Sequence, residues 1–157
     1  MKALLIAVGK TDNHYLNEAV DDYLGRAAHY APLEVKVIPD IRDVKNLTHE
    51  QQKEREGAEI LKLLRTGDYV VLLDEGGREF TSTAFASWLQ QKMSTLGKRL
   101  VFIIGGPYGF SPAVYDKADM KLSLSSMTFS HQMVRLIFVE QYYRALAILH
   151  NLPYHHA

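Results

Sequence analysis

The stretch that most constrains the fold of this chain is LVFIIGGPYGFSP, which runs from Leu100 to Pro112. Its five apolar residues end at Gly105-Gly106, and a short apolar run between turn signals predicts a strand buried on both faces, as in parallel sheets. Ser111-Pro112 predicts a helix start, because serine is a frequent N-cap and proline is favoured at the first helical position. Ligands of open α/β sheets bind beyond the carboxyl ends of strands, where glycine lets them approach the main chain. We therefore expect this loop to be one wall of a cofactor pocket.

Strands and helices are predicted to alternate along the whole chain. The predicted strands cover 2–8, 33–38, 69–73, 100–104 and 120–124. The predicted helices cover 13–30, 48–65, 81–96, a short segment from Pro112, and 131–149. Thr48 and Gln51 have the spacing of a capping box, which supports the start of the second helix. The alternation predicts an α/β fold with a mostly parallel sheet flanked by helices, in a single domain over residues 1–157.

Three predicted loops follow strands and are expected to meet at one pocket. They are 74–77, 105–109 and 125–130. The chain has neither the G-x-x-x-x-G-K-[ST] pattern of a P-loop nor a G-x-G-x-x-G after its first strand, which argues against an NTPase, a Rossmann dehydrogenase and a glycine-rich open-sheet methyltransferase. Taken alone, Gly105-Gly106 is equally compatible with a tight turn that binds nothing.

Composition excludes some kinds of chemistry and disfavours others. The chain has no cysteine, so it forms no disulfide and has no thiolate nucleophile. No segment approaches the ~18 apolar residues of a membrane helix, no histidine spacing matches a structural zinc site, and we expect a cytosolic protein without a metal. The chain contains 18 basic residues (Lys and Arg) and 18 acidic residues (Asp and Glu), so its formal net charge is zero. Because phosphate neutralisation supplies much of the affinity for nucleic acids, any RNA contact is expected to use a local patch.

The last predicted helix, 131–149, is apolar around nearly its whole circumference. Since one sheet covers only one face of a helix, the opposite face predicts a partner, most simply the same helix of a second copy. The alternative is a central helix of a monomeric core. Arg135 and Arg144 on this helix are costly to bury unless paired. Glu140 lies four residues before Arg144 and predicts an intrahelical ion pair, whereas the functional alternative places one arginine on a phosphate.

Four of the seven histidines lie near the end of the chain, namely His131, His150, His155 and His156. The terminal segment NLPYHH begins at Asn151 and contains a proline, a tyrosine and two histidines. Such tails usually fray. The functional alternative holds Tyr154 and His155 at the pocket mouth, where they can stack on a base and move a proton.

The chain resembles the RlmH-type ribosomal RNA methyltransferases of the SPOUT class. The resemblance rests on VFIIGGPYGFS, LSLSSMTFSHQMVRLIFVEQYYRALAI and NLPYHH, together with LIAVGK and LLDEGGREF. It implies an α/β-knot fold with a C-terminal trefoil knot, a homodimer, and S-adenosylmethionine as cofactor. It also implies methyl transfer to N3 of a pseudouridine in 23S ribosomal RNA on the assembled ribosome.

The resemblance also assigns residues to the site. Cofactor contacts are expected at Leu73, Gly105, Gly106, Leu124, Ser125, Ser126, Met127, Thr128 and Phe129. The base that removes the N3 proton is expected among His131, Tyr154 and His155, with Arg135 and Arg144 as RNA-contacting or structural groups. His156 and Ala157 stand where relatives commonly carry a basic residue. Two other functions remain open at this point, a non-catalytic dimeric ribosome-binding factor and a small-nucleotide-binding domain that uses Gly105-Gly106 for phosphate.

Overall fold

A five-stranded parallel sheet forms the centre of the fold in a computed structural model, which describes residues 1–156. The strands are β1 (Lys2–Val8), β2 (Leu33–Ile38), β3 (Tyr69–Glu79), β4 (Arg99–Ile104) and β5 (Met120–Ser123). Their order is β2-β1-β4-β3-β5, and every neighbouring pair is parallel. This confirms the predicted α/β class with a parallel sheet. The trefoil knot stays a prediction.

Five α-helices and one 3-10 turn connect the strands. They are α1 (His14–Ala27), the 3-10 turn (Val44–Asn46), α2 (His49–Leu63), α3 (Ser82–Thr95), α4 (Pro112–Lys117) and α5 (Met133–Leu149). The side chains of Thr48, Thr81 and Ser111 accept hydrogen bonds at the N-termini of α2, α3 and α4. The capping box of Thr48 and Gln51 is formed by both of its hydrogen bonds. These local polar signals therefore fix the helix starts that the sequence predicts.

The predicted start of the last helix at His131 is two residues too early. His131 lies in a turn, and α5 begins at Met133. Ser130 explains the shift, since its hydroxyl accepts from the Met133 N–H at 3.0 Å and its carbonyl accepts from the Val134 N–H. His131 is therefore held in the turn before the helix.

The prediction of a loop at 74–77 is wrong, because these residues lie within β3. The strand pairs with β5 on both sides of an irregularity, at which Leu73 and Arg78 both face Leu122. A Cβ built at Gly77 would lie 2.6 Å from the Lys121 carbonyl carbon of β5. Glycine here permits close approach of two strands, which the sequence alone does not distinguish from a turn.

The two faces of the sheet carry separate cores. Phe102 and Phe138 belong to the core beneath α1, α3 and α5, whereas Val101 and Val114 belong to the core beneath α2 and α4. Full burial of side chains of this kind contributes about 1.5–3 kcal/mol each. The carboxyl ends of the central strands are thus held rigidly between two helical layers.

Helix α5 packs on the sheet between α1 and α3. The sheet covers one face of this helix, as predicted, and the neighbouring helices α1 and α3 also bury its flanks, so a second copy is not needed to cover those flanks. Val139 and Leu146 are fully buried, whereas Met133 keeps 40% of its surface exposed and Leu136 and Ile137 are half-buried. The homodimer stays a prediction. No helix within residues 1–156 combines the length and apolar character that crossing a membrane needs.

Candidate active site

A cavity of about 490 Å³ lies at the carboxyl ends of β4 and β5 and against the middle of β3. Its wall consists of three segments, 73–75 from β3, 104–110 after β4, and 122–131 after β5, with Val134 of α5. This size is within the range of about 300–1,000 Å³ that is usual for small-molecule sites. The three segments that the sequence places after strands do meet at one cavity.

Eight of the nine residues expected to contact a cofactor line this cavity. They are Leu73, Gly105, Gly106, Leu124, Ser125, Met127, Thr128 and Phe129. Ser126 is exposed and is not part of the wall. Asp74, Glu75 and Phe110 also line the cavity, although sequence reasoning assigned them no contact. The available signal was their position after the predicted strand 69–73 and after β4.

The glycine turn after β4 is shaped by protein contacts on its side-chain side. Gly109 has φ +85°, a conformation that favours glycine, and its N–H donates to the Gly106 carbonyl at 3.2 Å. A Cβ at Gly105 would lie 3.0 Å from the ring of Phe110, and one at Gly106 would lie 2.6 Å from the carboxylate oxygens of Glu56. The expectation that the missing side chains leave room for a ligand is therefore wrong in detail. The glycines make room for Phe110 and Glu56.

The serine-rich segment after β5 is held by its own hydroxyl groups. Ser123 donates to the Ser125 carbonyl at 2.9 Å, and the Ser125 hydroxyl accepts from the Met127 N–H at 2.9 Å. Met127 itself keeps 75% of its surface exposed. Because these hydroxyls stabilise the loop, its shape exists before any ligand binds.

The ionisable groups of the cavity wall are acidic apart from one histidine. Asp74, Glu75 and His131 line it, and within residues 1–156 neither lysine nor arginine does so. Asp74 accepts from the Gly76 N–H at 2.8 Å and from the hydroxyl of Tyr115. Burial, and then the hydrogen bond to Asp74 and its charge, raise the pKa of Tyr115 to about 12, so this hydroxyl keeps its proton. The wall therefore favours a cationic ligand over a phosphate.

Arg135 is buried, and it lies beside the cavity without lining it. It is 3% exposed, and its guanidinium donates to the carbonyls of Val8 and Gly9, each at 2.7 Å. It also donates to the Thr11 hydroxyl at 3.0 Å and to the His131 carbonyl at 3.2 Å. Burial lowers the pKa of Arg135. Four of its five N–H donors are used by residues 8–11 and by the turn before α5, and its side chain is buried, so Arg135 is not positioned to contact RNA in this structure.

The terminal segment packs against α1 and α5. The Tyr154 hydroxyl donates to Glu140 Oε1 at 3.0 Å and lies 3.1 Å from the Tyr23 hydroxyl. The Tyr154 ring meets the Tyr143 ring edge-on, with 4.9 Å between centroids. The alternative of a frayed tail is therefore wrong for these residues.

Arg144 joins the tail to the helix. It donates to Glu140 at 2.9 and 2.6 Å, which is the predicted intrahelical pair, and it lies 3.0 Å from His155 Nδ1. His156 is exposed, and Ala157 lies outside the described residues.

The expected position of Tyr154 and His155 at the pocket mouth is wrong within one chain. The tail contacts α5 at Glu140 and Arg144, and Glu140 lies six residues, or about 9 Å of helix, beyond Val134 of the cavity wall. Burial and the hydrogen bonds to Tyr23 and Glu140 raise the pKa of Tyr154. This phenol is protonated near neutral pH and is not a base in this arrangement.

Metal ligands do not cluster in the part of the chain that the structure describes. No group of three or more His, Cys, Asp or Glu side chains in residues 1–156 is placed to hold a metal ion. Of the two tail histidines, His155 contacts Arg144, whereas His156 is exposed.

Comparison with known proteins gives matches along the whole chain. Residues 1–155 match the family described as "Predicted SPOUT methyltransferase". The chain is 62% identical over 156 residues to Ribosomal RNA large subunit methyltransferase H of Parabacteroides distasonis, with 99% of both chains covered. It is 59% identical to the protein of that name from Phocaeicola vulgatus and 57% identical to that from Bacteroides fragilis, again over 99% of both chains. The matched region includes all three segments of the cavity wall.

Proposed function

Because this chain belongs to the SPOUT methyltransferase family, we propose that it transfers a methyl group from S-adenosylmethionine to large-subunit ribosomal RNA. The acceptor is N3 of a pseudouridine in 23S ribosomal RNA within the assembled ribosome, and the reaction takes place in the cytoplasm. The observation that carries the proposal is an acidic cavity at the carboxyl end of the sheet, in a chain 62% identical to a ribosomal RNA methyltransferase. One domain, residues 1–157, performs the reaction.

The cavity wall fits the charge of the cofactor. S-adenosylmethionine, when bound, supplies an activated methyl group on a positively charged sulfur. Asp74 and Glu75 provide negative charge, and the main chain of Gly105, 124–125 and 127–129 provides hydrogen-bonding groups. A nucleotide phosphate is disfavoured, because no lysine or arginine of residues 1–156 lines the cavity and α4 begins only at Pro112.

The acceptor nitrogen must lose its proton, so a base has to lie near the methyl group. Of the three expected bases, His131 alone lines the cavity of its own chain. Its carbonyl is fixed by Arg135, which holds the histidine main chain at the entrance of α5. Arg135 is accordingly a structural group here. His131 is the base that the geometry favours within one subunit.

Tyr154 and His155 reach a cavity only if a second copy brings them there. Exposed apolar side chains at the cavity support such a contact, since Met127 of the wall is 75% exposed and Met133, next to Val134 of the wall, is 40% exposed. Exposed apolar surface of this kind marks protein interfaces. The homodimer therefore contains two composite sites, each with the cavity of one subunit and the tail of its partner.

Mixed dimers test this arrangement. One variant lacks residues 154–157, and the other carries Gly105→Leu, whose side chain starts 3.0 Å from the Phe110 ring and blocks cofactor binding. Each homodimer should be inactive in methyl incorporation into ribosomes. After co-refolding in equal amounts, about half of the dimers are mixed and each has one intact site, which gives about a quarter of the wild-type activity. Activity that stays at zero would contradict a tail acting on the partner's cavity.

The alternative of a ribosome-binding factor without turnover is separated by radioactive methyl transfer. Wild-type protein, S-adenosylmethionine and ribosomes that lack the modification should give stoichiometric methylation of 23S ribosomal RNA, with naked RNA as the comparison substrate. Binding of cofactor and ribosome without methyl incorporation would favour the alternative.

A further inference from the structure

Glu56 is a buried carboxyl group with an unused hydrogen-bonding atom. The residue is 4% exposed, and its Oε1 is the one buried side-chain polar atom within residues 1–156 that has no hydrogen-bond partner. Its Oε2 accepts from Gln52 Nε2 at 3.2 Å. Native proteins leave few buried polar atoms unpaired, and each such atom needs a physical reason.

The position of Glu56 connects it to the cavity. It lies on α2, and a Cβ built at Gly106 would be 2.6 Å from each of its carboxylate oxygens. Gly106 also lines the cavity. One residue of main chain therefore separates this carboxyl group from the cavity, and glycine at 106 permits that close approach.

The surroundings of Glu56 disfavour the ionised form of its carboxyl group when no cation is bound nearby. Burial is the main reason that the pKa of Glu56 is raised; the hydrogen bond from Gln52 opposes this, and the charge of Asp40 adds to it. Asp40 follows β2 and also faces the buried guanidinium of Arg135. An incoming cation would stabilise the ionised form of Glu56.

We propose that Glu56 is the counter-charge behind the glycine turn that makes the cavity prefer the cationic cofactor to its neutral product. This inference rests on the proposed function. Methyl transfer converts the charged sulfonium of S-adenosylmethionine into the neutral thioether of S-adenosylhomocysteine. At any pH at which Glu56 carries a proton in the free protein, that proton passes to solvent when the cation binds and returns from solvent when the thioether remains. The charged donor is thus held more tightly than the spent product, which favours product release.

Calorimetry with both ligands tests this role in the full-length protein. Glu56→Gln keeps the size of the side chain and removes its charge, and Glu54→Gln removes an exposed charge from the same helix as a matched control. Glu56→Gln should weaken S-adenosylmethionine binding about three- to tenfold, since a counter-charge a few ångströms from the cavity has an energy of this order. Its affinity for S-adenosylhomocysteine should stay within about twofold of the wild type. Glu54→Gln should change neither.

Proton release gives a second measurement that needs no variant. Binding enthalpies of the wild type, measured in buffers of different ionisation enthalpy over a pH range that spans the titration of Glu56, should show more protons released with S-adenosylmethionine than with S-adenosylhomocysteine. The affinity for S-adenosylmethionine should rise with pH through the titration of Glu56, because the ionised form binds the cation. In Glu56→Gln the difference between the ligands should disappear, which separates Glu56 from His131, Asp74 and Glu75 in the wall.

The outcomes separate this inference from the proposed function. Equal loss of affinity for both ligands in Glu56→Gln would mean that the residue only shapes the turn, and would overturn the inference. Equal proton release with both ligands in the wild type over the whole of that pH range would overturn it as well, even if the variant does not fold. A wild-type protein that binds neither ligand would instead refute the proposed function, and the inference with it.

Discussion

Replacing the buried Arg135 by methionine should destabilise the protein strongly. Its guanidinium donates to the carbonyls of Val8 and Gly9 in a buried environment, and to Thr11 and His131 in a partly buried one. Hydrogen bonds to a charged group contribute about 1.5–3 kcal/mol each. The two buried bonds alone therefore give about 3–6 kcal/mol.

The substitution by methionine offsets part of this loss. Methionine fills most of the volume of the arginine side chain, and it removes a buried cation that forms no salt bridge within residues 1–156. We expect a net loss of about 3 kcal/mol in the free energy of unfolding, a factor of about 150 in the folding equilibrium. Arg135→Lys keeps the positive charge and a hydrogen-bond donor but loses the planar guanidinium geometry, so its free energy of unfolding should lie between those of the wild type and Arg135→Met.

Urea denaturation measures the loss, with Arg55→Met on the exposed side of α2 as the matched control. The control should shift the free energy of unfolding by less than about 0.5 kcal/mol. Arg135→Met should also weaken cofactor binding, since the end of β1 and the turn at His131 lose their connection. A stability loss below about 1 kcal/mol would refute the reasoning, because it would mean that the carbonyls find other donors or water.

Three further predictions concern other contacts. Gly77→Ala should lower the free energy of unfolding by about 1–3 kcal/mol in urea titrations, because its Cβ would lie 2.6 Å from the main chain of β5. Gly25→Ala in α1 serves as the comparison, because a Cβ built at Gly25 has no atom of residues 1–156 within 4 Å beyond its chain neighbours and its own helix. This variant should raise the free energy of unfolding by about 0.5–1 kcal/mol, and equal effects of the two glycine substitutions would contradict the packing argument. Burial alone would raise the pKa of Asp68, but the hydrogen bonds and charge of Arg99 outweigh it and the pKa is lowered. The stabilisation by this pair is therefore present above the unfolded-state pKa of about 3.9 and is lost as pH falls through the folded-state value. Asp68→Asn should cost about 3–5 kcal/mol at pH 7 and flatten acid denaturation below about pH 4; an unchanged acid profile would exclude the pair as its cause. Gly105→Leu should abolish cofactor binding in calorimetry by displacing an aromatic ring of the cavity wall, and normal affinity would exclude that wall as the binding site.

The parts of the fold that the sequence predicted are those with local causes. Thr48, Thr81 and Ser111 accept hydrogen bonds from N–H groups within three residues, so their capping is visible in the sequence. The β4 strand is buried at every position, which is why an uninterrupted apolar run identified it. The segments after β4 and β5 meet at one cavity because the carboxyl ends of parallel strands share an edge, and the predicted loop 74–77 contributes Asp74 and Glu75 from within β3.

The parts that the sequence did not predict depend on distant contacts. Gly77 is a glycine because β5 passes beside it, and Glu56 is buried because Gly106 has no side chain. The hydroxyl of Tyr154 lies near that of Tyr23, 131 residues earlier, so nothing near the tail revealed that it would be held. The contact residues of the cavity were assigned by resemblance to a family, and their chemical roles stay predictions.

The large sequence separation between Arg135 and its hydrogen-bond partners has a consequence for folding kinetics. Its hydrogen bonds to Val8 and Gly9 join residues 127 and 126 positions apart, and β1 also lies between β2 and a strand that begins only at Arg99. Such non-local pairing slows folding, because the loop-closure entropy is lost before the contacts form. During synthesis, the first strand emerges long before its neighbour β4 and before the helix that secures its end. The apolar strand β1 is therefore exposed to aggregation until translation is nearly finished. The cavity can bind a ligand only after α5 has been synthesised and packed.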